Sequence, residues 1–168
     1  MRAPFHLQLL LTLLAGGAAA AEPIGRGVLA LPLSPACVSS PFGPRSGAGP
    51  RASSFHGGID IPAPAGAWVR AVAAGQVVAI RRTRSGAGLE VELRHAGGMI
   101  TRYAHLGSVA PPLAQGRRRV SQGEALGRIG RTGITYGTHL HLEVLIGGER
   151  VDPAPMLGLT RCGVQPPP

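Results

Sequence analysis

Three features of the sequence predict an all-β fold, a single mostly antiparallel sandwich or partly open barrel. Glycine and proline, 26 and 16 of the 168 residues, interrupt the chain too often for long helices to propagate. Several short stretches alternate apolar and polar residues with a period of two, which is the strand repeat. Turn-rich segments separate those stretches at short intervals, as in chains built of many strands. No strict glycine period supports collagen, and no repeat of solenoid length is visible.

The amino terminus carries Arg2, an apolar run from Leu7 to Leu14, and small residues up to Ala21, the pattern of a secretory signal peptide over residues 1–21. Cleavage is expected at an Ala-x-Ala site ending at Ala20 or Ala21. The run is too short for a stable membrane span and no other stretch is long enough, so no transmembrane anchor is expected after cleavage; an uncleaved anchor is the alternative. Residues 22–40, rich in Pro, Ser and Ala, read as an extended N-terminal arm, 41–157 as the single domain, and 158–168 as a tail. In an oxidising compartment Cys37 and Cys162 are expected to pair rather than remain free thiols, which would staple the tail to the arm. On the chain-entropy account, so long a loop contributes about 4 to 5 kcal/mol.

Within the domain, 41–65 is dense in turn residues (PFGPR, SGAGP, HGG, IPAPAG) and is expected to loop or run extended. Strands follow at 68–73 and, after Gly75, at 76–82, ending in a basic loop with Arg81, Arg82 and Arg84. Leu89, Val91 and Leu93 alternate with Glu90, Glu92 and Arg94, a half-buried strand whose hairpin partner is 99–106. Residues 108–119, rich in Pro, Gly and Arg, read as a surface excursion. A short strand at 125–129 and a glycine-rich loop at 130–137 lead to the clearest strand, HLHLEVLI, from His139 to Ile146. With no coiled-coil segment or further repeat visible beside it, the domain is expected to be a minimal, stand-alone unit.

All 17 basic side chains are arginine, against 8 acids, giving a net charge of +9 and a pI near 11.5. Planar guanidinium forks suit carboxylates and phosphates, so an acidic partner is expected. The partner is not nucleic acid: aromatics make up only 4%, too few to interleave with a basic surface, and the leader directs the chain outward. With 44% hydrophobic and 15% charged residues, the chain is not a solvated disordered tail.

Chemistry concentrates in short histidine clusters. In HGGID, two glycines let the backbone fold tightly so that His56 and Asp60 converge. In HLHLE, strand alternation puts His139, His141 and Glu143 on one face and Leu140, Leu142 and Val144 on the other. His105 sits in YAHL. A His, Asp, His set suits Zn2+ with one coordination position left open, and a further histidine would serve proton transfer. Singly these motifs are weak, since a lone HxH is more often a hydrogen-bonded pair. His95 is expected to be a solvated or hydrogen-bonded turn residue, Tyr103 to pack, and Trp68 to sit in the core or at its rim.

Taken together, HGGID, YAHL, GEALGRIGRTG and HLHLE occur in the order and context of the lysostaphin-type, LytM-like zinc metallopeptidases, which the chain resembles from 41 to about 157, including the opening PFGPR, WVRAVAAGQVV and the closing VDPAPML. The resemblance implies that His56, Asp60 and His141 bind Zn2+ and that His105 and His139 are catalytic. It implies a mostly antiparallel β fold with the site in a groove, and hydrolysis of peptide bonds in the stem or cross-link peptides of peptidoglycan by a secreted or periplasmic enzyme. Glu143 is a candidate partner for one of the metal-binding side chains. The bond is expected to be a diaminopimelate-containing D,D cross-link or, alternatively, a glycine bridge. Members that have lost metal ligands activate other wall hydrolases, so a non-catalytic peptidoglycan-binding regulator of a wall amidase is the alternative; all five positions are filled here, which favours the enzyme. The excursion 110–119 departs from the family pattern and is expected to border the groove.

Overall fold

A computed structural model describes residues 29–46 and 53–164 of the chain. The expected signal peptide, 1–21, and the start of the arm lie outside the described residues. Two short strands, β1 (Gly43–Pro44) and β2 (Phe55–His56), form an antiparallel ribbon. Nine more build one sheet: β3 (Ile59–Pro62), β4 (Trp68–Arg70), β5 (Gly75–Arg82), β6 (Leu89–His95), β7 (Ile100–Val109), β8 (Arg119–Val120), β9 (Ala125–Ile129), β10 (His139–Ile146) and β11 (Glu149–Val151). The order is β11-β10-β7-β6-β5-β8, with β3 also on β10 and β9 joining β7 to β4. Every named strand pair is antiparallel, as expected. Irregularities in register at Val77/Ala79, Leu89/Val91 and Leu106/Ser108 let the sheet curl on itself, since each bulge bends its strand.

The core is what the alternation dictates. Leu89, Val91 and Leu93 of β6 turn inward to meet Ile59 and Ile61 of β3, Leu106 of β7, Leu126 of β9, and Leu140 and Leu142 of β10 in one cluster. Burying each such side chain contributes about 1.5 to 3 kcal/mol relative to exposure. The other face of β6 is less wet than expected: Glu92 is buried, accepting from Arg81 at 2.9 Å and Arg102 at 2.8 Å. Trp68 sits at the rim, with the Arg128 guanidinium 3.7 Å above its ring.

The excursion 108–119 is less superficial than its composition suggests. Pro111 begins a one-turn helix, α1 (Pro111–Ala114), where a missing N–H costs nothing, and Leu113 on that turn is buried in the core. The closing VDPAPML forms α2 (Pro153–Leu157): the Asp152 carboxylate accepts from Ala154 N–H at 2.9 Å, and Gly158, at φ 63°, ends the helix in a left-handed conformation. The arm is part of the body. Leu33 and Val38 are buried, and Val38 and Ser40 bridge to Arg161 and Asp60. Cys37 and Cys162 form the expected disulfide, with Cα atoms 4.9 Å apart. Among the described residues, no helix is long and apolar enough to cross a membrane.

Candidate metal centre and cleft

β3 and β10 run side by side with Asp60 opposite His141 and Ile61 opposite Leu140. Because side chains alternate along a strand, this register sends Ile61 and Leu140 into the core and brings Asp60 and His141 together on the opposite face. His56, at the end of β2, is folded back onto them by Gly57 and Gly58. A Cβ at Gly58 would collide with the Leu142 carbonyl, so only glycine lets the HGGID turn lie this close to β10.

The three side chains converge. His56 Nε2 is 3.1 Å from Asp60 Oδ1 and 3.0 Å from His141 Nδ1, and His141 Nδ1 is 2.8 Å from Asp60 Oδ1. Their outer hydrogen bonds fix the tautomers. His56 Nδ1 donates to the Pro41 carbonyl at 2.8 Å, which leaves the lone pair on Nε2. His141 Nε2 faces Glu143 Oε1 at 3.5 Å, which leaves the lone pair on Nδ1. Two imidazole lone pairs and a carboxylate oxygen thus point at one another, a set that requires a cation, and one metal ion within reach of all three fits the donor chemistry. In the metal-free chain a proton satisfies the set. Burial alone would depress His141, but its hydrogen bonds to Asp60 and Glu143 outweigh burial and raise it to about 9. Burial would likewise raise Asp60, yet the hydrogen bond from the protonated His141 outweighs burial and holds it well below the usual carboxylate range.

Two more histidines flank this set. The His105 and His139 rings lie edge to face with centroids 4.9 Å apart, and His105 is 5.9 Å from His141. Each is anchored through Nδ1 on a backbone carbonyl, His105 on Thr132 at 2.8 Å and His139 on Gly137 at 3.1 Å. His139 Nε2 faces Asp60 Oδ1 at 3.5 Å, whereas His105 Nε2 has no protein partner among the described residues. His105 has a φ of 61°, a left-handed conformation rare outside glycine, held by N–H donation to Ala87 and by its carbonyl accepting from Gly130 N–H. Burial lowers His105 to about 4 and also lowers His139, so both are neutral near pH 7.

These five residues line one cleft of about 550 Å3, together with Arg45, Glu90, Glu143 and the 134–137 segment. Glu143 takes the expected place beside His141. The excursion 110–119 does not: contrary to expectation it contributes nothing to this cleft and instead lines a second cavity of about 750 Å3 with β5, because Leu113 pins it to the core there. Sequence reasoning missed Thr132, whose carbonyl orients His105 and whose hydroxyl donates to Leu106 and accepts from Leu89 N–H. Its signal was a threonine between glycines in GRTG. Arg45 belongs to PFGPR, and nothing in its spacing from Asp60 signals that the two lie 4.0 Å apart.

Residues 54–153 match the sequence model of Peptidase family M23. The chain belongs to that family. M23 peptidases are metallopeptidases, which agrees with the His, Asp, His set. Among curated relatives, this M23 chain is 41% identical over 116 residues to the DD-carboxypeptidase/endopeptidase Mpg of Neisseria meningitidis, covering 69% of this chain and 26% of that protein. It is 35% identical over 97 residues to the peptidoglycan DD-endopeptidase ShyA of Vibrio cholerae, covering 58% of this chain and 22% of ShyA. The match therefore spans about a quarter of the length of these relatives. Among solved structures, a putative M23 peptidase from Pseudomonas aeruginosa superposes with a TM-score of 0.66 at 34% identity, covering 82% of this chain and 53% of that one. The catalytic domain of lysostaphin from Staphylococcus simulans gives 0.61 at 24% identity, covering 71% of this chain and 90% of that one, and shares the fold. The lysostaphin-type resemblance of the sequence is borne out.

Proposed function

We propose that this M23 chain is an exported, zinc-dependent endopeptidase that hydrolyses peptide bonds in the stem or cross-link peptides of peptidoglycan, with 1–21 as its leader and 41–157 as its catalytic domain. One observation carries the reading: two imidazole nitrogens and a carboxylate converge beside two neutral histidines in an open cleft. His56, Asp60 and His141 would hold zinc, which when bound supplies Lewis acidity to polarise the scissile carbonyl and acidify water. The names of Mpg and ShyA support a D,D bond over a glycine bridge.

The chain's own residues supply the rest. Because Nδ1 of His105 and of His139 is committed to a backbone carbonyl, each presents Nε2 as an acceptor. That suits removal of a proton from the attacking water at Nε2, after which the same nitrogen is a donor that can steady the developing oxyanion or protonate the departing amine. The lowered proton affinity of His105 keeps it neutral, and so available as a base, well below pH 7. The left-handed backbone at His105 is local strain of the kind that persists where a side chain must be aimed.

Digestion of purified sacculi with mass spectrometry of the products tests the reading. Chelator-sensitive release of shorter cross-linked species with new amines is expected, and zinc should restore it. Failure to cleave, joined to stimulation of a partner amidase, would replace it with the regulator alternative.

A further inference from the structure

The carboxylates that line the cleft are each held at hydrogen-bond distance, whereas its arginine has no carboxylate that close. Glu143 is held by Arg102 and Arg150, each at 3.2 Å, and Glu90 by Arg81 at 3.0 Å. Asp60 Oδ1 is occupied by His141 and His56. Arg45 is the one arginine lining the cleft among the described residues, and no carboxylate there is within hydrogen-bond reach of it. Its closest is Asp60 Oδ2, 4.0 Å from Nη1. Neutral acceptors hold the guanidinium instead: Ser40 Oγ takes Nη1 at 3.3 Å and the Ser53 carbonyl takes Nε at 3.1 Å, while the Arg45 backbone N–H is bonded to Ser54. The side chain is 24% exposed, so the fork is oriented and open to the cleft. An oriented guanidinium whose one carboxylate neighbour, Asp60, stands beyond hydrogen-bond distance has donors left for a second carboxylate.

We propose that Arg45 is a specificity residue that binds a free carboxylate on the substrate carbon attached to the scissile nitrogen. This rests on the peptidase reading above and narrows its substrate class. The donor set marks where the scissile carbonyl must sit, and Arg45 lies one carboxylate away from it. The substrate group it reaches therefore belongs to the residue flanking the cut. In a terminal D-alanyl-D-alanine the carbon on the amine side of the bond carries the chain's terminal carboxylate. In a D-alanyl-diaminopimelate cross-link the same carbon carries the free carboxylate of the acylated centre. In a glycine bridge that carbon is followed by another amide and offers no charge. A single arginine thus admits both D,D substrates and disfavours the glycine bridge, because its charge would be left buried against a neutral amide.

The test uses the zinc-loaded full chain and two synthetic probes, a stem pentapeptide ending in D-alanyl-D-alanine and the same peptide with its terminal carboxylate converted to the amide. Cleavage is followed by chromatography and binding by calorimetry, for the wild type, Arg45→Ala and Arg45→Lys. The wild type is expected to favour the acid by about 10- to 100-fold in kcat/KM. Arg45→Ala should bring the acid-to-amide ratio to within about twofold of one, with the change mainly in KM, and Arg45→Lys should fall between. Zinc stoichiometry is measured on each variant, and the lysine variant carries the comparison should the alanine protein not fold. A loss equal for acid and amide in Arg45→Ala, with or without loss of zinc, would show that Arg45 positions Asp60 instead, and overturns the proposal. Equal treatment of the two probes by the wild type overturns it as well. Binding of the acid over the amide without cleavage of either would sink the peptidase reading and leave the carboxylate site standing, whereas cleavage of both alike does the reverse.

Discussion

Two regions of this molecule bury histidine, and they differ in what the second ring nitrogen meets. His95, at the end of β6, donates from one side to the Ala74 carbonyl at 2.9 Å and meets Thr101 Oγ1 at 2.7 Å on the other. Thr101 Oγ1 thus serves Nε2 as donor and accepts from the Tyr103 hydroxyl at 3.1 Å, which in turn accepts from Val72 N–H. That chain is closed, and nothing in it is left for a ligand. The cleft histidines use the same carbonyl anchor on Nδ1 at His56, His105 and His139, but their Nε2 atoms face each other, Asp60 or open cleft. A carbonyl anchor therefore marks a buried histidine of either kind. The fate of the other nitrogen separates structure from chemistry.

The sharpest way to break the contrast is to remove one member of the donor set. His141→Ala should lose bound zinc, measured by metal analysis, and lower cleavage of sacculi by at least ~10³-fold, since Asp60 and His56 would keep too few donors to hold the ion. His105→Ala should keep zinc at full stoichiometry and lose ~10²- to 10⁴-fold in kcat. An active His105→Ala enzyme would remove that residue from the chemistry. On the other side, His95→Ala should leave zinc content and kcat/KM unchanged and destabilise the fold by about 2 to 3 kcal/mol in urea, because Thr101 and the Ala74 carbonyl lose their partner in the core.

The smallest effect is on pH. Burial lowers His95 from its ordinary value of 6.5, so the unfolded chain binds the proton more readily than the folded one. Its contribution to stability is complete above pH 6.5 and is lost as pH falls from there through the lowered folded value. His95→Gln should flatten that part of the acid limb in thermal melts of zinc-loaded protein. An unchanged slope would mean that His95 does not titrate there.

Much of this was legible in the sequence because it depends on periodicity. The alternation in HLHLE put His141 and Glu143 on one face and Leu140 and Leu142 on the other, and the glycines of HGGID signalled a close approach. Other features depend on partners far along the chain. His95 sits beside a turn, yet Ala74 before β5 and Thr101 of β7, which hold it, are contacts that no local pattern records; it is hydrogen-bonded but not solvated. The excursion 110–119 is rich in Pro and Arg by composition, and its one large apolar residue, Leu113, decides which side of the molecule it covers. Arg45 lies fifteen residues before Asp60 and is brought beside it only by the return of the β1–β2 ribbon.

The central claim is that the cleft, and not the closed core, holds the metal. Anomalous diffraction from zinc-loaded crystals at the zinc edge tests it most directly. One full-occupancy peak bonded to His56 Nε2, Asp60 and His141 Nδ1 is expected, with His105 and His139 beside it and unbonded. A peak at other residues, or none from a chain that still cleaves sacculi, would contradict it.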